Sequence, residues 1–196
     1  MDDRLLERWL EEVVATPGLT ALQTVEDARP VLVDDALRAT ALVARTEGRV
    51  IDVGSGGGSP GIPLALALPE RRFTLLEAER RKADALVRLA RGLANVEVVW
   101  GRAEVQPVES YGVALAKATA KPPVAAELTL PLVRTGGVAV LWAGPSADRA
   151  HVARVASLLA GELEQEDGGL LVLRKLGPTP PGFPRRPGIA RKRPLR

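Results

Sequence analysis

The chain has 196 residues, 46% hydrophobic and 26% charged, which suffices for one domain with its own core. It has no cysteine and a single histidine, His151. Disulfides, thiolate metal sites and a thiol nucleophile are thereby excluded, and a His-based triad or zinc site is disfavoured. The formal net charge of +3 is unevenly spread: Arg174, Lys175, Arg185, Arg186, Arg191, Lys192, Arg193 and Arg196 follow the last acid, Asp167, and leave the preceding body net acidic. A basic, proline-rich tail on an acidic body suggests a polyanionic partner, with a solvated terminus as the alternative. No leader and no membrane-spanning apolar run is recognisable, so a cytoplasmic monomer without a metal is expected.

In chain order, Asp2 to Ala15 has helical period, with Leu5, Leu6, Trp9, Leu10, Val13 and Val14 on one side. Asp2 or Asp3 can cap it and Pro17-Gly18 stops it. Thr24 is the candidate N-cap of a second helix running to about Thr46, with a possible restart at Pro30. From Arg49 onward strands and helices alternate. The strands are Val50–Val53, Phe73–Glu77, Val96–Trp100, Val113–Ala116 and Val138–Trp142. The intervening helices are Pro63–Leu68, Arg80–Leu93 and Val124–Val133, the last ending at a Gly136-Gly137 break. A further helix covers about Ala147–Ala160. Glu162–Glu166 and Leu170–Arg174 then form a hairpin across Gly168-Gly169. The alternation predicts a doubly wound parallel sheet, and the closing antiparallel hairpin distinguishes it from a plain dinucleotide-binding sheet. From Gly177 the chain holds too much Pro and Gly for regular structure. The expected division is a helical cap over 1–47, a body over 48–176 and a basic tail over 177–196.

The chemistry concentrates where the first strand runs into glycine. Asp52-Val-Gly54-Ser-Gly56-Gly-Gly58 is an acid followed by GxGxG, one residue shorter than the GxGxxG dinucleotide fingerprint. Glycine at alternate positions permits positive φ and close approach of a ligand to main chain, and the next helix is expected to offer unpaired N–H groups. Glu77 ends the second strand, where an acid can accept from both ribose hydroxyls of an adenosine. Glu104, or the Ala103 N–H, follows the third strand and would meet the adenine edge. Three acids, Asp52, Glu77 and Glu104, at successive strand ends suit a cationic ligand without phosphates, and the turn lacks the lysine of a P-loop. S-adenosylmethionine, with its sulfonium and ammonium, is such a ligand.

The stretch Asp52-Val-Gly-Ser-Gly-Gly-Gly-Ser-Pro-Gly-Ile-Pro-Leu-Ala65, then Thr74-Leu-Leu-Glu77, then Asn95-Val-Glu-Val-Val-Trp-Gly-Arg-Ala-Glu104 resembles the GidB family. Pro184-Arg-Arg-Pro-Gly-Ile-Ala-Arg-Lys-Arg-Pro-Leu195 is similar to that family's C-terminal signature. The resemblance implies a Rossmann-like class I S-adenosylmethionine-dependent methyltransferase. Its expected form is a seven-stranded, mostly parallel sheet with a C-terminal antiparallel hairpin and an N-terminal helical cap. It also implies methylation of guanine N7 in the decoding-region loop of 16S rRNA, with the small ribosomal subunit as partner. By position, Gly54, Ser59, Ala103 and Glu104 would line the cofactor, and Lys117 falls where the family usually has arginine. Val31-Leu-Val-Asp-Asp-Ala-Leu37 stands where the family commonly carries Arg-His-x-x-Asp-Ser-Leu, and Ser59 where a bulky apolar residue is usual.

Guanine N7 has a free lone pair, so attack on a sulfonium methyl needs no general base, in keeping with a chain poor in acid–base residues. Pro122-Pro123 lacks the flanking residues of an amine-methylating loop and reads as the start of the next helix. Lys117 ends the fourth strand, on the ligand-binding face. It is the candidate catalytic residue, placed for the methionine carboxylate or an RNA phosphate, with a solvated loop lysine as the other reading. Arg185, Arg186, Arg191, Lys192 and Arg193 are the candidate RNA contacts, spaced by prolines that keep the segment extended. Phe183 is expected to pack back on the sheet and His151 to lie at the surface. The competing functions are methylation of another RNA or a small molecule, and non-catalytic ribosome-associated RNA binding.

Overall fold

The computed structural model describes residues 2–167 and 169–196; Gly168, half of the expected hairpin turn, lies outside them. The N-terminal region holds α1 (Asp3–Ala15), α2 (Val25–Ala28), a π-helical turn (Arg29–Asp34), α3 (Asp35–Leu37) and α4 (Thr40–Arg45). Asp2 caps α1 by accepting from Leu5 N at 3.1 Å, and Thr24 caps α2 through Asp27 N. The long second helix expected from sequence is instead broken. Pro30 brings no N–H to an i→i−4 ladder, the turn widens so that Asp35 N bonds back to Pro30 O, and the helix is interrupted again before Thr40.

The body alternates as expected: β1 (Val50–Val53), α5 (Gly61–Ala67), β2 (Phe73–Glu77), α6 (Arg80–Leu89), β3 (Val96–Trp100), β4 (Tyr111–Lys117), α7 (Pro122–Thr129), β5 (Val133–Trp142), α8 (Arg149–Leu158), β6 (Gly161–Asp167) and β7 (Leu170–Lys175). The strand order is β3-β2-β1-β4-β5-β7-β6. The first five strands are parallel; β7 runs antiparallel to both β5 and β6. The switch point falls between β1 and β4, where an open α/β sheet places its ligand crevice. Pro122 and Pro123 open α7, as read from sequence. The Gly136-Gly137 pair does not separate helix from strand. It lies inside β5, where the register with β4 jumps from Tyr111↔Val133 to Val113↔Val138. A Cβ on Gly137 would stand 2.4 Å from Gly112 O, so only glycine lets the strands meet there.

Alternate strand residues face opposite layers. Ile51, Val53, Ala114, Ala116, Leu141 and Leu173 pack towards α7 and α8. Val50, Val113, Leu115, Val140 and Val172 pack with Val43 and Leu64 of α4 and α5. The cap shares a third core with the body: Leu6, Trp9, Leu10 and Val13 of α1 lie against Ile62, Leu75, Leu86 and Leu89.

The tail departs from the expectation of irregular chain. It carries a short α9 (Ile189–Lys192) and is fastened along the body. Lys175 Nζ donates to Leu159 O and Thr179 Oγ1, and Thr179 N to Glu109. Phe183 packs on the α7/α8 core. His151 is part-buried rather than superficial, because its Nε2 meets Leu195 O at 2.6 Å. Among the described residues no helix is long and apolar enough to cross a membrane.

Candidate cofactor and acceptor site

A cavity of about 580 Å³ opens at the C-terminal ends of β1 to β4. Its floor is the glycine turn. Gly54, Gly56 and Gly58 all have positive φ, at 74°, 55° and 102°. A Cβ on Gly54 would reach Thr119 Cγ2 at 2.5 Å, so the side chain glycine lacks is the space between β1 and the loop after β4. Gly58 faces away, towards Ile62 and Trp9, and Trp9 Nε1 donates to Gly57 O at 2.9 Å. The cap's first helix is thus tied to the turn.

Asp52, expected to bind the cofactor, is not on the cavity wall. It is buried and accepts from Gly61 N at 3.1 Å, bracing β1 against α5. Gly58 is absent from the cavity wall as well. The N–H groups of the first turn of α5 are not free either. Gly61 N is taken by Asp52 and Ile62 N by Gly58 O at 2.6 Å, Pro63 has none, and Leu64 N goes to Pro60 O. A helix start with no open donor cannot cradle a phosphate, so the turn suits a ligand that brings none.

Burial raises the Asp52 carboxyl from 3.8 to about 7, against hydrogen bonds from Ser55 and Gly61 that favour the charged form. The unfolded carboxyl ionises near pH 4, whereas the folded one holds its proton until about pH 7. Its contribution to stability is therefore fully present below pH 4 and is lost as pH rises towards 7, by about 4 kcal/mol. Asp52→Asn retains an acceptor for Gly61 and is expected to remove that share of the pH dependence, read as the difference between the two proteins' denaturant midpoints across pH 4–8.

Gly54, Gly56, Ser59, Glu77, Ala103, Glu104 and Lys117 all line the cavity. Glu77 ends β2 nearly buried. Its carboxylate accepts from Gly56 N at 3.0 Å and Glu79 N at 2.8 Å, which fixes it at the cavity wall with lone pairs to spare. Glu104 Oε1 accepts from Gly188 N of the tail at 2.7 Å, while Arg102 Nε stands 3.7 Å from Oε2. Lys117 is no solvated loop lysine. Its ammonium pairs with Asp35 Oδ2 at 2.9 Å and donates to Val31 O. Ser59 Oγ donates to Leu32 O at 2.7 Å.

The tail reaches the same rim. Arg185 makes two 2.6 Å bonds to Glu127 on α7, and Arg191, which also lines the cavity, donates to Thr119 O at 2.8 Å. Arg186, Lys192 and Arg193 are exposed. Sequence reasoning missed Thr119, whose Oγ1 donates to Val53 O at 2.7 Å, and the strained Ala118 before it, with φ 54°. Their position just past the end of β4 was the available signal.

The cavity fits S-adenosylmethionine: an acid at the end of β2, a glycine floor, and a helix start with no open donor for a phosphate. A seven-stranded sheet in this order with this site defines a class I S-adenosylmethionine-dependent methyltransferase. Solved structures share the fold. A T. thermophilus 16S rRNA N2 methyltransferase in complex with AdoMet and guanosine matches with a TM-score of 0.53 at 19% identity, over 76% of this chain and 40% of that one. A predicted O-methyltransferase from Agrobacterium tumefaciens matches with a TM-score of 0.59 at 19% identity, over 70% and 78%. The family model of rRNA small subunit methyltransferase G (GidB) matches residues 4–166, and the chain belongs to that family. Relatives called ribosomal RNA small subunit methyltransferase G include those of Synechococcus sp. strain JA-2-3B'a(2-13), 37% identical over 82% of this chain and 72% of theirs. Those of Rubrobacter xylanophilus are 38% identical over 92% and 75%, and of Deinococcus radiodurans 38% over 91% and 78%.

Proposed function

We propose that this protein methylates small-subunit rRNA at N7 of a guanine in the decoding-region loop, using S-adenosylmethionine, as a monomer in the cytoplasm. The observation that carries the reading is the cavity itself, in which Glu77 is held by Gly56 N beside the Gly54 floor in a chain of the GidB family. When bound, S-adenosylmethionine supplies a methyl on a positively charged sulfur, which departs as a neutral thioether.

The chain's own residues bind, orient and shield. Glu77 accepts from the ribose hydroxyls, and Glu104 or the Ala103 N–H reads the adenine edge. Gly54, Gly56 and Ser59 leave room for the methionine arm, and Lys117 stands at the acceptor side. Asp52 supports the turn from behind. The acceptor N7 carries a lone pair and no proton, so no residue need act as base, and rate comes from positioning and exclusion of water. The exposed Arg186, Lys192 and Arg193 contact rRNA phosphates, whereas Arg185 serves by holding the tail against α7. The cap (1–47), body (48–176) and tail (177–196) divide the work into closing the acceptor side, holding the cofactor and engaging RNA.

Mass mapping of 16S rRNA from a strain lacking the gene is expected to show one missing N7-methylguanine, restored by a plasmid copy. Unchanged N7 methylation in that strain would exclude this acceptor.

A further inference from the structure

The strand order fixes which end of the cavity receives the base. Glu104 follows β3, Glu77 ends β2, the glycine turn follows β1, and Lys117 ends β4, with these strands side by side. Glu104 would hold the adenine and Glu77 the ribose, so that the sulfonium would fall at the β1/β4 gap and the purine to be methylated would approach over the end of β4. Of the polar side chains there, Thr119 has its hydroxyl proton committed to Val53 O and Arg191 reaches over from the tail to Thr119 O, whereas Lys117 belongs to β4 itself and is held from the cap.

Its hold is unusually complete. An ammonium has three donors. One meets Asp35 Oδ2 at 2.9 Å and one goes to Val31 O. Asp35 is itself fixed, because Trp142 Nε1 donates to its carbonyl at 3.0 Å and Arg38 Nη1 to its Oδ1 at 3.0 Å. The π-helical turn takes part: its Val31 and Leu32 carbonyls accept from Lys117 and Ser59, and single π turns are frequent at functional sites. Lys117 is left 12% exposed on the cavity wall, with one N–H not assigned among the described residues.

We propose that this remaining N–H of Lys117, aimed by Asp35 and Val31, donates to O6 of the target guanine and selects guanine over adenine. The inference rests on the guanine-N7 reading above. The major-groove edge of guanine presents N7 and O6 as adjacent acceptors, while adenine carries an amine donor at position 6. A donor at O6 leaves the N7 lone pair free to react and turns an adenine away donor against donor. The charge also balances. Methylation puts a positive charge on the purine, which a bare lysine would oppose. Paired with Asp35, the lysine presents an N–H within a neutral unit. Asp35 is then a positioning residue and Lys117 a residue that touches substrate.

The test uses the full-length protein and small-subunit rRNA ligated to carry guanine, inosine or 2-aminopurine at the mapped target. Inosine keeps O6; 2-aminopurine lacks it. The wild-type single-turnover rate is expected to fall by about 10- to 100-fold with 2-aminopurine and to stay within a few-fold with inosine. Lys117→Met is expected to lose as much on guanine and nothing further on 2-aminopurine, with its S-adenosylmethionine affinity by calorimetry unchanged. Asp35→Asn should shrink the guanine/2-aminopurine ratio, which a merely structural role would leave intact. Equal wild-type rates on guanine and 2-aminopurine overturn the proposal without any variant. So does a Lys117→Met that keeps full discrimination but binds S-adenosylmethionine weakly, which would assign the lysine to the methionine carboxylate. Absence of N7-methylguanine from the wild-type reaction rejects the underlying function instead.

Discussion

Arg185→Ala is expected to lower stability by about 3 kcal/mol, because Glu127 would remain buried with its charge uncompensated. The Glu127 side chain is 3% exposed, and both its oxygens are taken by the Arg185 fork at 2.6 Å. For a chain of this size the melting temperature would fall by roughly 6–12 °C. Lysine cannot restore a two-pronged bond from a single point of charge, so Arg185→Lys should recover only part of the loss. Glu127→Gln, which keeps the shape and removes the charge, should cost less than Arg185→Ala. The same substitution frees the tail next to the cavity, since Gly188 and Arg191 follow Arg185 closely and bond to Glu104 and Thr119. Limited proteolysis should then cut the tail of Arg185→Ala between residues 185 and 196 while wild type resists. A tail equally resistant in both proteins would show that the other fastenings suffice without the ion pair.

Glu77→Ala is expected to weaken S-adenosylmethionine binding by about 100-fold or more in calorimetry, the loss of two charge-assisted hydrogen bonds to ribose at about 1.5–3 kcal/mol each. The substitution also strips Gly56 N and Glu79 N of their acceptor, so the turn loses its brace. Glu77→Gln separates these effects. Its amide oxygen can still accept from Gly56 N while the charge is gone, and an intermediate loss of affinity is expected. Binding as tight as wild type in Glu77→Ala would move the ribose away from the end of β2.

The backbone plan was legible because it is written locally. β1, β2 and β3 coincide with the residues their apolar runs predicted: β1 and β2 are buried along their whole length, as a parallel strand covered on both faces must be largely hydrophobic, and β3, half-buried at the sheet edge, keeps its apolar residues at alternate positions beside Glu97. The glycine turn was legible for a similar reason: positive φ at Gly54, Gly56 and Gly58 is a property of those residues. The hairpin of β6 and β7 marked the fold class. Thr24 and Asp2 announced their helices because a cap needs only a short side chain beside free N–H groups.

What sequence left undecided depends on partners distant along the chain. Asp52 read as a ligand acid because it precedes the turn. Packing turned it inward to Gly61, and burial rather than any neighbour in sequence set its proton affinity. The Gly136-Gly137 pair read as a boundary, but the requirement it meets is the closeness of Gly112 across the sheet. Lys117 could be read as solvated until the cap folded over it, because Asp35 lies far back in the chain and is brought there by α3. The basic tail suggested a polyanionic partner by composition, or else a solvated terminus; folding divides it into Arg185 and Arg191, bonded to the body, and Arg186, Lys192 and Arg193, exposed beside them. Local period and backbone freedom were enough to read the order of the seven strands, the glycine turn and Glu77 at the end of β2 from the residues alone. Which acids face the cavity, which cations are already paired and what aims Lys117 emerged with the packed fold, because burial and pairing are properties of residues brought together from afar.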